Sequence, residues 1–404
     1  MTVTSPTATT PAVAPTTRVI PGLLALAIGG FTIGTTEFVT MGVLPQIAEG
    51  LRRTEPEAAH GITAYALGVV VGVPILAILG ARLPRRGLLL ALMGAYAAFN
   101  VVTALAPTYV TFVGARFLDG LPHGAYFGIA SLAAAGLVTP ARRGRAIASV
   151  MLGLSVANVV GVPATTWMGQ HLGWRTTYLA CAVLAGLAAA LIFTFLPATP
   201  VTGGSSGRAE ARMFFARPQV WLTIAAGSIG FGGVFAIYSY IATTVTNVSG
   251  LPEAVVPLFL LAFGLGLVVG TWAGGELAAW SVYRSLLFGA IGTAVAMLAF
   301  WLAAPHGWWA LPVVFVFAAV ASVPVTNLQL RLMDVAGDAV TLGAAMNHAS
   351  LNVGNALGAW AGGVVIAAGY GYRAPALLAT ALAAVGVLII ALSGVLARKT
   401  SAAR

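Results

Sequence analysis

Four side chains that can carry charge or protons lie on one short stretch of the chain: Arg116, Asp119, His123 and Tyr126. Their spacing of three, four and three residues places them on one face of a helix. The surrounding run, 109–138, has no other charged residue and exceeds the roughly 20 residues that cross a bilayer. Charges at that depth usually face a bundle interior or water and are paired. The stretch therefore predicts a proton-handling site, with a purely structural Arg–Asp pair as the alternative.

Glu37 is the only charged residue in the first apolar run. It lies about eleven residues from the end of that run, and Asp119 lies about ten residues from the start of its own, so at roughly 1.5 Å per residue the two acids have similar depth. A buried carboxylate changes its protonation when its partner changes, so both acids are predicted to couple proton movement, together with Arg116 and His123. Fixed hydrogen-bonding struts are the alternative for the acids, and a helix–helix contact is the alternative for His123.

Composition identifies the class of protein. Of the 404 residues, 59% are hydrophobic and only 7% are charged, far fewer charges than the surface of a soluble domain of this size carries. The formal charge of +10 is spread over short loops between apolar runs, which favours membrane topology over nucleic-acid binding. Cys181 is the single cysteine, so an intramolecular disulfide is excluded. The chain is predicted to be a polytopic membrane protein.

Hydropathy divides the chain into apolar runs long enough to span a membrane, and the 49 glycines suit close helix packing in lipid. The predicted fold is therefore an all-α membrane protein with twelve transmembrane helices. Fifteen Lys and Arg residues fall on the side of the N-terminus and four on the other, so both termini are predicted to be cytoplasmic. The predicted spans are 19–48, 61–80, 87–106, 109–138, 145–168, 175–197, 219–247, 256–280, 285–304, 309–333, 339–368 and 374–396.

The two halves of the chain repeat each other with an offset of 198 residues. The glycine-containing string at Leu67–Gly72 recurs at Leu265–Gly270, and Arg86 coincides with Arg284. Two related six-helix bundles are therefore expected, with a substrate site near the membrane midplane between them. The predicted divisions are a disordered cytoplasmic tail at 1–17, bundles at 18–199 and 218–397, a cytoplasmic linker at 200–217 and a cytoplasmic tail at 398–404.

Two six-helix repeats with basic loops after the second and eighth helices resemble the major facilitator superfamily. The loop at 77–86 keeps that family's leucine and its three arginines, but it has Ala81 where the family has aspartate. The three arginines are Arg82, Arg85 and Arg86. The resemblance implies a fold of two six-helix bundles with alternating access, and it assigns these arginines to a cytoplasmic gate.

Motifs in helices four and five resemble the twelve-helix drug:proton antiporter branch of that family. Arg116–Gly120 is similar to its helix-four motif, with Asp119 in place of the usual glutamine. Its helix-five motif is matched by three residues: Gly153, Gly161 and Pro163. The runs Thr35–Val39 and Pro122–Gly128 resemble bacterial sugar-efflux proteins, including arabinose-inducible exporters, and chloramphenicol exporters. The resemblance implies export of a small organic molecule by proton antiport.

Aromatic and amide side chains in the apolar runs are the expected lining of the substrate site, because such sites are mostly apolar with a few oriented polar groups. The predicted lining residues are Phe31, Phe38, Tyr126, Asn158, Phe231, Phe235, Tyr238, Asn327, Gln329, Asn347, His348 and Asn352. Interhelical hydrogen bonding is the alternative role for the amides.

No ATP-binding loop, metal-spaced Cys/His set or enzyme motif occurs in the sequence. We therefore expect a transporter that is not an enzyme, needs no cofactor and draws on a proton gradient. The expected partners are the lipid bilayer, a small-molecule substrate and protons, not nucleic acid, and the expected state is a monomer in the bacterial cytoplasmic (inner) membrane. A uniporter or proton symporter for a small nutrient, and a non-transporting membrane sensor or assembly protein, are the alternatives.

Overall fold

The structure is a computed structural model that describes residues 16–80, 83–139, 142–198, 212, 214–337 and 340–402. These residues are almost entirely helical, and no strand occurs among them. The predicted all-α fold is therefore confirmed. Arg82 and most of the predicted N-terminal tail and central linker lie outside the described residues.

The first half of the chain consists of long helices joined by short connections. They are α1 (Thr16–Gly42), α2 (His60–Gly80), α3 (Arg85–Ala104), α4 (Tyr109–Gly136), α5 (Arg143–Val156, a π-helical turn at Ala157–Gly161, and Val162–Leu172) and α6 (Trp174–Phe195). The first predicted span is divided, because the backbone leaves the helical conformation at Val43 and a separate helix, Leu44–Gly50, follows with Pro45 in its first turn. Thr108 begins α4 with a capping box, in which its hydroxyl accepts a hydrogen bond from the Thr111 N–H.

The second half follows the same plan. Its helices are α7 (Pro218–Ala225, Ala226–Gly230 and Gly232–Tyr238), α8 and α9 (the parts of Val256–Ala303 before and after Ser281), α10 (Ala310–Ala336), α11 (Val340–Val365) and α12 (Ala374–Ala402). Ser281 has φ −172° and ψ 114°, so the helix direction changes there. In the described part of the chain, eight helical stretches are long and apolar enough to cross a membrane, and one of them, Glu253–Ala336, contains α8, α9 and α10.

The 198-residue repeat is visible in the packing of α2 on α4 and of α8 on α10. A Cβ added at Gly68 would meet the Phe117 carbonyl, and one added at Gly266 would meet the Phe315 carbonyl, 198 residues further on. Gly72 and Gly270 repeat this relation with the carbonyls of residues 121 and 319. Because only glycine allows such close backbone approach, these four positions fix the register of α2 on α4 and the equivalent register of α8 on α10.

The two halves meet along a seam in which α2 packs on α11 and α5 packs on α8. A Cβ at Gly264 of α8 would meet the backbone of Asn158 in α5, so these helices touch backbone to backbone. We call the end of the seam near residues 43–59 and 241–255 the outer end, following the predicted topology. The functional side chains described below lie beside this seam or within the first half.

Candidate functional site

Arg116 is completely buried, and the partners of its guanidinium described below all belong to the first half. Its Nη1 lies 3.0 Å from Oδ2 of Asp119, and its Nη2 donates a hydrogen bond of 3.4 Å to the Thr36 carbonyl of α1. The guanidinium also lies over two tyrosine rings, 4.2 Å from the centroid of Tyr65 and 5.4 Å from that of Tyr178. The positive charge is thus held by one carboxylate, one carbonyl and two aromatic faces.

Asp119 is also completely buried, and both of its carboxylate oxygens have partners. One oxygen pairs with Arg116, and the other accepts a hydrogen bond of 2.8 Å from Nδ2 of Asn100 in α3. Sequence reasoning missed Asn100, although its spacing of four residues from Tyr96 in an apolar run could have indicated a polar face on α3. The geometry around Asp119 is that of a closed ion pair inside one bundle.

His123 and two tyrosines extend this cluster along α4. The Tyr65 hydroxyl lies 2.8 Å from the Tyr96 hydroxyl and 3.0 Å from Nδ1 of His123. The structure thus brings Arg116, Asp119 and His123 together, as their spacing predicts. These residues and their partners Asn100, Tyr65 and Tyr96 form what we call the polar cluster.

Tyr126 points away from the polar cluster, although the sequence placed it on the same face. Its hydroxyl donates a hydrogen bond of 2.8 Å to the Leu26 carbonyl of α1, and its ring fills the space beside Gly29. The side chain is completely buried inside the first half. Tyr126 therefore joins α1 to α4 instead of lining the seam.

Glu37 differs from Asp119 in having no fixed partner. Its side chain is 6% exposed, and its carboxylate accepts no hydrogen bond from any described residue. Arg116 is the charged group that acts on it electrostatically. The threonines around it bond to their own helix: Thr35 to the Phe31 carbonyl and Thr36 to the Thr32 carbonyl.

The residue after Glu37 places this part of α1 against the second half. The Phe38 ring lies 6.4 Å from Phe235 and 5.8 Å from Tyr238, both on α7, measured between centroids. Phe231 lies 5.4 Å from Phe235, so the predicted aromatic lining gathers at one place on the seam. The buried Tyr238 hydroxyl has no hydrogen-bond partner in the part of the chain that the structure describes, and it lies within electrostatic range of Glu37.

Two aromatic residues at the seam were missed from the sequence. Phe263 of α8 stacks on Tyr238 with centroids 4.1 Å apart, and Phe127 of α4 stacks on His348 of α11 at 5.6 Å. Phe263 lies 198 residues after Tyr65, so the repeat itself was the available indication. Through this stacking, the predicted lining residue His348 contacts the first half. Another predicted lining residue, Phe31, packs beside Gly161 of α5.

The predicted amides mostly bond to helix backbone. Asn158 and Asn352 each donate 3.0 Å hydrogen bonds to the carbonyl four residues earlier, and Asn327 donates to the Gly274 carbonyl of α8 at 3.1 Å. The side-chain oxygens of all three have no hydrogen-bond partner among the described residues, and neither does that of Asn347. Gln329 is half-buried on α10.

Arg85 and Arg86, the two described arginines of the three assigned to a gate, contact helices of their own half. Arg85 donates a hydrogen bond of 3.0 Å to the Leu132 carbonyl of α4, and Arg86 bonds to the Phe193 carbonyl of α6 while lying over the Phe193 ring. The helix-five motif has a packing role: a Cβ at Gly153 or Gly161 would meet α1, and Pro163 follows the π-helical turn of α5.

Comparison with known proteins agrees with this architecture. Residues 26–347 match the family model described as Major Facilitator Superfamily. The chain is 38% identical over 374 residues to the inner membrane transport protein YdhP of Escherichia coli K12, covering 92% of this chain and 95% of YdhP. It is 30% identical over 370 residues to a chloramphenicol resistance protein of Streptomyces lividans, covering 91% and 94% of the two chains.

A solved structure shows the same fold. A bacterial homologue of the human lysosomal transporter Spinster, in an inward-facing and unoccupied conformation, superimposes with a TM-score of 0.77. The match covers 94% of this chain and 98% of that one at 16% sequence identity. The resemblance inferred from the loop and helix motifs is therefore confirmed. The protein is a multi-pass membrane transporter, not an enzyme, and it belongs to the Major Facilitator Superfamily.

Proposed function

We propose that this transporter exports a small organic molecule, such as a sugar or a drug, from the bacterial cytoplasm in exchange for protons. Two six-helix halves, residues 18–199 and 218–397, would alternate access to the seam, with both termini in the cytoplasm and with the monomer as the working unit. The observation that carries the proposal is Glu37, a buried carboxylate at the seam that accepts no hydrogen bond from any described residue.

An exchange mechanism requires a site that binds a proton or cargo, but not both. An ionised carboxylate that is buried without a partner is costly, so it gains either by taking up a proton or by pairing with a polar group of the cargo. Glu37 meets this requirement because its carboxylate accepts no hydrogen bond from any described residue and so is available to a proton or to the cargo. The competition between the two ligands would tie outward movement of cargo to inward movement of protons.

Arg116 and Asp119 have a different role in this proposal. Arg116 supplies a fixed positive charge that acts on the Glu37 carboxylate. Asp119, held by Asn100, keeps the guanidinium in place at 3.0 Å. Asp119 is therefore a positioning residue, and Glu37 is the group that exchanges protons.

The character of the seam supports an organic cargo. Phe38, Phe231, Phe235 and Tyr238 offer aromatic faces, and the unpartnered Tyr238 hydroxyl offers one polar contact beside Glu37. A largely apolar surface with a few directed polar groups is the usual form of a small-molecule site. The similarity to a chloramphenicol resistance protein also favours a compact organic molecule.

The test measures cargo-triggered proton release from proteoliposomes that contain the full-length protein. A panel of sugars, amphenicols and dyes is added against an imposed pH gradient, with wild type, Glu37→Gln and Asp119→Asn compared. We expect Glu37→Gln to abolish proton release while cargo still exchanges between the two sides, because a neutral amide cannot carry the proton.

Glu276→Gln is the matched control, since Glu276 is an exposed acid at the cytoplasmic end of α8. We expect this variant to release protons as the wild type does. Normal cargo-coupled proton release in Glu37→Gln would refute Glu37 as the coupling site. Cargo flux that ignores the pH gradient in the wild type would refute antiport itself.

A further inference from the structure

Hydrogen bonds that join the two halves lie at the outer end of the seam. Gln46 bonds to the Glu253 carboxylate, and Gln170 donates a bond of 3.1 Å to the Glu253 carbonyl. The Thr243 hydroxyl donates to the Glu55 carboxylate. Among the described residues, these are the side-chain hydrogen bonds that cross from one half to the other, so they hold this end closed.

Glu55 stands apart from Glu253 in its surroundings. Glu253 is exposed, whereas Glu55 is half-buried against a buried Thr243. The neighbouring Pro56 packs close to Gly363 of α11, so the second half also packs against the residue next to Glu55. Glu55 is thus an acid whose exposure to water depends on whether the halves are together.

Few charged groups oppose the charge of Glu55. Glu55 begins a short helix, Glu55–Ala58, and Arg53, which precedes this helix, pairs with Glu57 at 3.2 Å. Glu57 also accepts hydrogen bonds from Thr54 that lower its pKa. From the second half, the titratable groups that face Glu55 are two tyrosines, Tyr240 and Tyr372. Burial raises the pKa of Glu55, and the hydrogen bond from Thr243 opposes that rise only in part.

We propose that Glu55 and Thr243 form a proton-binding latch, the outer latch, that closes more firmly as the outer solution becomes acidic. Closing the seam moves the Glu55 carboxylate from water to a half-buried place whose partner is an uncharged hydroxyl. Burying the ionised form has a desolvation cost, and burying the protonated form avoids it while keeping the bond to Thr243.

The direction of the pH effect follows from linkage. Because the pKa of Glu55 is raised in the closed state and ordinary in the open state, protons bind the closed state better. The closed state therefore gains stability as pH falls through the raised pKa, and the gain is complete below the ordinary pKa. An acidic exterior would hold the outer end shut and leave the cytoplasmic end as the route for loading cargo.

The outer latch acts independently of Glu37, and its test removes the Glu37 proton. In a Glu37→Gln and Cys181→Ala background, spin labels are placed at the exposed positions Glu49 and Tyr370, which lie in different halves at the outer end. Distance distributions are recorded in proteoliposomes between pH 7.5 and 5.5. We expect the ratio of short to long distances to rise as pH falls, since protons bind the closed state better than the open state.

Three variants separate the latch from other causes. Glu55→Gln keeps an acceptor for Thr243 but cannot ionise, so we expect the short distance to dominate at both pH values. Glu253→Gln is the matched control, because it alters the exposed acid of the same contact region, and we expect the full pH response to remain. Thr243→Val should lower the short-distance population at both pH values. An unchanged pH response in Glu55→Gln, or an unchanged population in Thr243→Val, would overturn the proposal.

Discussion

The same backbone packing carries opposite chemistry in the two halves of this transporter. Glycine contacts fix an offset of 198 between α2–α4 and α8–α10, so each residue of the polar cluster on those helices has a counterpart. Tyr65, Arg116, Asp119 and His123 correspond to Phe263, Val314, Phe317 and Ala321. The counterparts are buried and apolar, and the Phe263 and Phe317 rings lie 6.0 Å apart.

This difference separates what the fold requires from what the function requires. The apolar cluster shows that the packing of two helices at this depth needs no charge. The buried Arg116–Asp119 pair is therefore an addition to the scaffold, and buried pairs give weak net stabilisation for their cost of desolvation. The Arg116–Asp119 pair occurs in the half that also contains Glu37 on α1, which agrees with a functional role for the pair.

Breaking one member of the buried pair should have the largest effect. In Asp119→Ala the guanidinium of Arg116 stays buried without its carboxylate, and we expect the free energy of unfolding to fall by about 3–5 kcal/mol. In the apolar counterpart, Phe317→Leu leaves no charge unpaired, and we expect a loss of about 1–2 kcal/mol. Thermal and denaturant unfolding in detergent compares the two variants, and equal losses would contradict the distinction between the clusters.

Part of this contrast could be read from the sequence. The spacing of Arg116, Asp119 and His123 predicted one helix face, and equal depth linked Glu37 to Asp119. The sequence could not show that Asn100 satisfies Asp119, since that bond depends on how α3 packs on α4. The helix-face spacing also did not predict the orientation of the Tyr126 side chain. Its ring fills a space beside Gly29 of α1, and the sequence around Tyr126 does not encode a gap left by another helix.

The boundaries of the helices show the same limit. Alternation of apolar runs and basic loops predicted the helical segments and their pairing into two halves. The predicted boundary between the spans 256–280 and 285–304 coincides with the change of direction at Ser281, whereas the break at Val43 was not predicted. Pro45 was a visible indication for the break at Val43, because proline is favoured in the first turn of a helix. At the predicted boundary, the Ser281 hydroxyl accepts a hydrogen bond of 3.3 Å from the Arg284 N–H, as a serine at a helix N-terminus does.

Replacing both members of the buried pair should restore stability but not function. In the double variant Arg116→Met, Asp119→Leu, no charge is left unpaired, so we expect the free energy of unfolding to return to within about 1 kcal/mol of wild type. Proton release on addition of cargo should nevertheless be lost, because Glu37 no longer has a cation to act on it. A double variant that is as stable as wild type and still couples protons would show that the pair is structural only.

The smallest expected effect concerns a space that the second half leaves unfilled. Tyr126 and Phe127 correspond to Pro324 and Val325, and a cavity of about 30 Å³ lies among α7, α9, α10, α11 and α12 with both of these counterparts in its wall. The cavity is lined almost entirely by apolar side chains, so an added methylene should fill it favourably. We expect Val325→Ile to raise the free energy of unfolding by about 0.5–0.8 kcal/mol without changing transport.

The opposite change provides the control for this cavity. Val325→Ala enlarges the space, and we expect a loss of about 1–2 kcal/mol, again measured by unfolding in detergent. A destabilising effect of Val325→Ile would mean that the walls cannot accommodate one more carbon atom, so that the second half is as tightly packed here as the first half is around Tyr126. Stabilisation would instead show that the apolar half tolerates looser packing, because its aromatic side chains have no charge to hold in place.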